Sequence, residues 1–559
     1  MLRRDLVKSL ALLALDPLIG CESAAPSSRQ PATSSLIDVH AHVFNASDLP
    51  AEKFIRVVIL DLYPQPGVQR LLDNKDRHIV DWLIELFLFI LGEDGAPTAR
   101  KEIEVLSGRA AAVRRAQDLD TAGQTTIERT GEFLKRISLP RGPGIRQRGS
   151  TERGANLLRD ALTRAANLEN RSARSLTAAD YQAVASAAYR SSADVGVYLR
   201  WFTLFTVYRH VLVDKLTADH QRQGYKPLVL APATIDFSRW LGEDVTSPLG
   251  DQVMVMDLIA RRPAAPAIHS YIAFDPLREV YYRHAKDRIS PLRVAQDALV
   301  DHGFVGVKLY PPMGFKPIAN SNTWSDYFRF IERNLGAATH LGEELDAALE
   351  DLYRLCVELQ APILAHAADS NGAGPGFADR ADPAFWLPVF VKYPELRVCL
   401  AHFGRFTYRS KAAPANAPSP SPAAPEGSWE WTFGGYVQRH PTAPVFADLS
   451  FFSEILTGDA QGRLRLADAF QRFARTFDPN LDHLMFGTDW IMTGVVPGDV
   501  NYTHAVTQFF KEDCGFDDNA MVRLLVGNAV RFLGLREGDI ARERLRRFYQ
   551  RNGLADKLA

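Results

Sequence analysis

The chain has 559 residues, of which 46% are hydrophobic and 23% charged, with a formal net charge of −1 at neutral pH. These proportions are those of a soluble globular protein, and no basic stripe with interleaved aromatics marks a nucleic-acid partner. Four cysteines at wide spacing with no CxxC pair argue against a disulfide framework and against a thiolate metal site.

The N-terminus reads as an export signal. Arg3-Arg4 precedes a short apolar stretch, Leu10 to Leu15, and then Leu18-Ile-Gly-Cys21. The core is too short to span a bilayer as a mature helix. Twin arginines are similar to the Tat signal, and Leu-Ile-Gly-Cys is similar to a bacterial lipobox that would place a lipid on Cys21. The expectation is a signal over 1–21, a linker over 22–35, and a periplasmic or membrane-anchored lipoprotein. An amphipathic N-terminal helix is the alternative.

The first strand ends in Asp38-Val-His40-Ala-His42. Histidines at i and i+2 share one face of a strand, and two converging imidazoles make half of a metal site. The next strand begins near Leu228, far beyond an ordinary connection of 2–6 residues. The segment 49–225 is mainly helical in pattern, notably Ile79 to Leu91 and Leu176 to Leu216, with a loop at Pro140 to Gly149. It leaves from the strand end that carries the histidines, so it is expected to cap the site. The Ile79–Leu91 run reads as a buried cap helix or a contact with a second copy of the chain.

Seven further apolar runs follow, and they read as parallel strands buried on both faces. They are Leu228 to Ile235, Ile268 to Phe274, Phe304 to Tyr310, Pro362 to Ala367, Val398 to Gly404, Val445 to Ser450 and Leu484 to Trp490. Eight βα units suggest a (β/α)₈ barrel, with its active site at the carboxyl ends of the strands. Lys308, His366, His402 and Asp489 all stand at such ends. In Val305-Gly-Val-Lys308-Leu-Tyr310, alternation turns Gly306, Lys308 and Tyr310 into the barrel, where a lysine needs a partner. Ala412 to Ser428, rich in Ala, Pro and Ser, reads as a solvent loop. The barrel is expected over 36–48 and 226–538, and the Arg-rich tail 539–559 as a packing or surface helix.

Together, D-x-H-x-H, the G-x-K-L-x-P element from Gly306 to Pro311, two isolated strand-end histidines and Phe486-Gly-Thr-Asp-Trp490 resemble the amidohydrolase superfamily. The branch they resemble is amidohydrolase-related (amidohydrolase 2), which includes aminocarboxymuconate-semialdehyde decarboxylase and aromatic-acid decarboxylases and hydrolases. The resemblance implies His40, His42, His366 and Asp489 as metal ligands, with Zn²⁺ the expected ion. It implies catalytic roles for Asp489, His402 and Lys308. His402 is either a catalytic histidine beside one ion or a ligand of a second. Lys308 either holds a substrate carboxylate or, carbamylated, bridges two ions; one ion is the preferred reading. The expected reaction is hydrolysis of an amide, lactone or ester of a small organic substrate. The alternatives are non-oxidative decarboxylation of an unsaturated or aromatic acid, with Arg405 or Lys308 as anion clamp, and a barrel without chemistry.

Overall fold

The computed structural model describes residues 34–559 except 60–73, 93–94, 109–118, 139–176, 191–193, 264, 324–325, 337–338, 369–371, 375, 404–427 and 497. The signal at 1–21 with Cys21, the loop from Pro140 to Gly149, Arg405 and nearly all of the loop from Ala412 lie outside the described residues.

Nine parallel segments form one sheet. They are β1 (Ser34–His42), β2 (Tyr225–Ala233), β3 (Ala267–Ile268), β4 (Tyr271–Ala273), β5 (Gly306–Leu309), β6 (Ile363–His366), β7 (Val398–Ala401), β8 (Val445–Asp448) and β9 (Leu484–Met485). β3 and β4 are two pieces of one strand beside β2, broken at His269-Ser270, so the sheet has the eight positions expected. It runs in chain order from β1 to β9 and closes on itself. Val39 N–H donates to Phe486 O at 3.3 Å, and Ala41 bridges Trp490. The architecture is a (β/α)₈ barrel.

Register decides what points inward. Ala273, Lys308, Leu364, Cys399 and Phe446 are cross-strand partners and form one interior row. Two residues further along the same strands stand His366, Ala401 and Asp448, again facing inward because side chains alternate. Lys308 is the one charged member of an otherwise apolar row. Gly306 begins its strand because a Cβ there would meet Pro362 O at 2.3 Å and the Tyr271 ring at 3.0 Å.

The rest of the barrel interior is filled by Ile37, Val39, Val229, Ala231 and Met485, and its floor is sealed by Phe532, Leu533 and Leu545. The C-terminal helix Ile540–Arg551 belongs to that seal. Arg544 donates to the carbonyls of Leu299, Phe304, Val305 and Leu359, and Tyr549 bonds His269. The tail is therefore a packing element.

Between β1 and β2 the described residues contain helices Asn74–Leu91, Ala99–Leu106, Leu119–Ser138, Ala178–Arg190, Asp194–Leu204 and Arg209–Arg222. They pack on loops that follow strand ends. Trp201 Nε1 donates to Ile491 O at 2.9 Å, Phe205 lies 5.7 Å from Phe44, and Asn45 Nδ2 donates to Val207 O. A buried cluster ties the last of these helices to the turn after β1: Arg209 pairs with Asp48 and, at 3.0 Å, with Glu102. Among the described residues no helix is long and apolar enough to cross a membrane.

Candidate metal centre

The six expected ligand and catalytic residues arrive at the carboxyl end of the barrel, and all are buried: His40 0% exposed, His42 8%, Lys308 5%, His366 6%, His402 4% and Asp489 7%. His40 and His42 share one face of β1, as their spacing requires, and both turn to Asp489. Their Nε2 atoms lie 3.4 and 3.3 Å from Asp489 Oδ1. The three donor atoms fall within 4.8 Å of one another.

Backbone geometry places the carboxylate. Asp489 takes a left-handed conformation (φ +56°), and its N–H donates to His40 O at 2.7 Å. Asp38 clasps the same crossing. It accepts from Thr488 N and Thr488 Oγ1, and His220 Nε2–H reaches it at 3.3 Å. The first residue of the D-x-H-x-H motif thus joins the first strand to the last. Gly487 leaves room for the approach, since a Cβ there would sit 3.0 Å from His40 Cβ.

Behind these groups stand Asp448 and Ser450, which sequence reasoning missed. The signal was available: Asp448 ends the apolar run Val445-Phe-Ala and occupies the strand position that His366 holds on β6. Asp448 Oδ2 lies 3.0 Å from His40 Nδ1, and its Oδ1 accepts from the amides of His402 and Ser450 and from the Ser450 hydroxyl. Ser450 has a single hydroxyl hydrogen. With that hydrogen on Asp448, its oxygen accepts Nδ1–H of His402 at 2.8 Å. The remaining tautomers follow by valence. His40 and His402 then present Nε2 as acceptors. Lys308 Nζ donates to the first at 2.8 Å, and His366 Nδ1–H to the second at 3.0 Å. That leaves His366 Nε2 as a bare lone pair, buried and without any hydrogen-bond partner.

The four implied ligands therefore come together as three plus one. His366 belongs to neither cluster of three donors within 4.8 Å, which are His40, His42 and Asp489, and His40, His402 and Asp448. The donor chemistry fits a divalent cation. It comprises two imidazoles and a carboxylate, an orphaned imidazole nitrogen nearby, and a candidate ligand, His40, whose other nitrogen is held by a carboxylate.

Burial sets the protonation states. It pushes His40, His366 and His402 well below the ordinary imidazole range, and Lys308 adds to the shift in all three. Burial also pushes Lys308 down to about 8, against the pull of Asp489 and Asp448. It pushes the Asp489 carboxyl up, opposed by His42 and Lys308.

The same histidines belong to a closed circuit of rings. His42, Phe44, Phe54, Phe237, Tyr310, His366, His402 and His40 follow one another and return to His42, with neighbouring centroids 4.5–6.2 Å apart. Phe54 comes from the segment inserted between β1 and β2.

Residues 290–535 match a family model described as amidohydrolase. No curated protein matches the sequence. Among solved structures, an amidohydrolase from Burkholderia multivorans with bound zinc is 16% identical, with a TM-score of 0.35, and aligns over 62% of this chain and 92% of its own. The 5-carboxyvanillate decarboxylase of Sphingomonas paucimobilis is 11% identical, with a TM-score of 0.32, over 57% of this chain and 82% of its own. Amidohydrolase 2 from Bifidobacterium longum subsp. infantis is 14% identical, with a TM-score of 0.30, over 59% and 89%.

Proposed function

We propose that this chain, whose residues 290–535 match the amidohydrolase family model, is a metal-dependent hydrolase of an amide, lactone or ester of a small organic molecule. One observation carries the reading: His40, His42 and Asp489 converge within 4.8 Å at the carboxyl end of the barrel. These three, with His366 as fourth, would hold a divalent ion, and Zn²⁺ suits imidazole and carboxylate donors. When bound, such an ion supplies Lewis acidity and lowers the pKa of water towards about 7.

The chain's own groups do the remaining work. Asp489 takes the proton of the attacking water and returns it to the leaving oxygen or nitrogen. Lys308, positively charged inside the barrel, holds a substrate oxyanion. His402, anchored by Ser450 and hydrogen-bonded to His366, steers the leaving group. Burial of every one of these side chains keeps bulk water from competing for their hydrogen bonds.

Metal analysis of the purified protein, with a screen of lactones, amides, esters and aromatic carboxylates, tests the proposal. We expect hydrolysis, loss of metal in His40→Ala and His366→Ala, and a fall in kcat of about 10²–10⁴ in Asp489→Asn. Full metal occupancy in both histidine variants would overturn the ligand assignment. Release of carbon dioxide without any hydrolysis would replace the hydrolase with a decarboxylase.

A further inference from the structure

Arg380 lies on the short helix Phe377–Ala381, in the connection that follows β6 and therefore on the carboxyl-end face of the barrel. That connection is tied to the loop after β5, where Ala373 N–H donates to Pro312 O at 3.0 Å. It also touches the helix after β2, since the Phe377 ring lies 6.4 Å from Trp240. Arg380 is only 7% exposed. A buried guanidinium ordinarily meets a carboxylate. The other deeply buried arginines obey: Arg209 meets Asp48 and Glu102, and Arg278 meets Asp236 and Asp287. Arg544 is satisfied by four backbone carbonyls.

Arg380 has neither solution. Among the described residues no acid pairs with it, and its Nη1 is buried with no hydrogen-bond partner. Its neighbours are two aromatic faces, Phe377 at 3.8 Å and Phe328 at 5.2 Å. Cation–π contact offsets part of the cost of burial but satisfies no N–H. Lys316, half-buried over the Phe385 ring at 5.0 Å, lies within electrostatic reach of Arg380 and has the same sign. Burial pushes the guanidinium down to about 10, and no neighbouring charge opposes the shift.

Two cations on the catalytic face, one with a buried Nη1 that has no hydrogen-bond partner, are complementary to an oxyanion. We propose that Arg380, with Lys316 beside it, is an anion-binding subsite that takes a carboxylate or an oxyanion of similar geometry. The anion comes either from a carboxylate borne by the substrate or from a free small anion. Only the first of these rests on the hydrolase reading.

Titration of the full-length protein with benzoate and with inorganic phosphate tests it. Wild type binds at least one of them. Arg380→Met, similar in length and uncharged, binds at least tenfold more weakly while keeping its metal content, and it melts no lower than wild type without the anion. Binding persists in His40→Ala, which separates the subsite from the metal centre. Competitive inhibition of turnover by the bound anion, relieved in Arg380→Met together with a raised KM and a retained kcat, assigns the subsite to the substrate's carboxylate. Lost binding with an unchanged KM, or with no turnover to measure, assigns it to a free anion. Wild type that binds neither probe overturns the proposal, and so does Arg380→Met that binds both as tightly. Should Arg380→Met fail to fold, Arg380→Lys, which keeps the charge and loses the fork, must bind more weakly; equal binding there also overturns it.

Discussion

Lys308 Nζ lies 2.8 Å from His40 Nε2, the ring nitrogen left as an acceptor because Nδ1 of the same ring faces Asp448 at 3.0 Å. A cation thus occupies the hydrogen-bonding direction that a ligand histidine offers to a metal. The pair links the fourth barrel position to the first, and it makes the role of Lys308 testable through metal count.

Lys308→Ala should retain one metal per chain and bind it at least as tightly as wild type, since the variant removes a positive charge from beside His40. Substrate binding should weaken by tenfold to a hundredfold, the cost of about 1.5–3 kcal/mol for a lost charged hydrogen bond. Two metals in wild type, falling to one or none in the variant, would instead make Lys308 a bridging carbamate. Metal analysis with steady-state kinetics decides.

Asp448→Asn should weaken metal binding by about 10–100-fold, because partners behind a ligand histidine fix its ring and its tautomer. The amide nitrogen cannot accept Nδ1–H of His40, so the ring loses the restraint that aims Nε2 into the site. Ser450→Ala should act in the same direction and more weakly, through His402. Metal titration of the two variants checks this; affinity unchanged in Asp448→Asn would reduce the residue to barrel packing.

Trp201→Phe keeps the ring that packs 4.7 Å from Phe205 and deletes the hydrogen bond to Ile491 O. That carbonyl stands in the turn in which Met492 and Thr493 donate to Asp489 O. The loss is about 1 kcal/mol, and passed on in full to the position of Asp489 it lowers kcat by about fivefold. A change in thermal stability with kcat intact would confine the inserted helix to packing.

His269 is fully buried, donates Nδ1–H to Gly303 O at 2.8 Å and accepts from Tyr549 at Nε2. Burial holds it neutral, with its pKa pushed down to about 4 from 6.5. The unfolded chain therefore binds a proton between about pH 6.5 and 4 that the folded protein does not. The contribution is intact above pH 6.5 and is lost as pH falls towards 4, by about 3 kcal/mol in all. Unfolding measured at pH 7.5 and 4.5 should show wild type losing more stability than His269→Gln. Parallel losses in the two proteins would reject the assignment.

The sequence by itself carried the barrel, because strands buried on both faces must be nearly continuous apolar runs. It also placed Lys308, His366, His402 and Asp489 at strand ends, where the ionisable group breaks such a run. The i, i+2 spacing of His40 and His42 was enough to aim both at one point, since alternation on a strand is local geometry. Asp448 and Ser450 were legible only in principle. Their run looks like the others, and what distinguishes them is contact with histidines roughly forty-six to four hundred and ten residues away in the chain. The division of the four expected ligands into three and one, the use of Asp38 as a clasp between strands, and the unpaired charge of Arg380 were likewise decided by tertiary structure alone. Pairing and its absence depend on which side chains the closed barrel and its loops bring within hydrogen-bond reach, and neither periodicity nor composition encodes that distance.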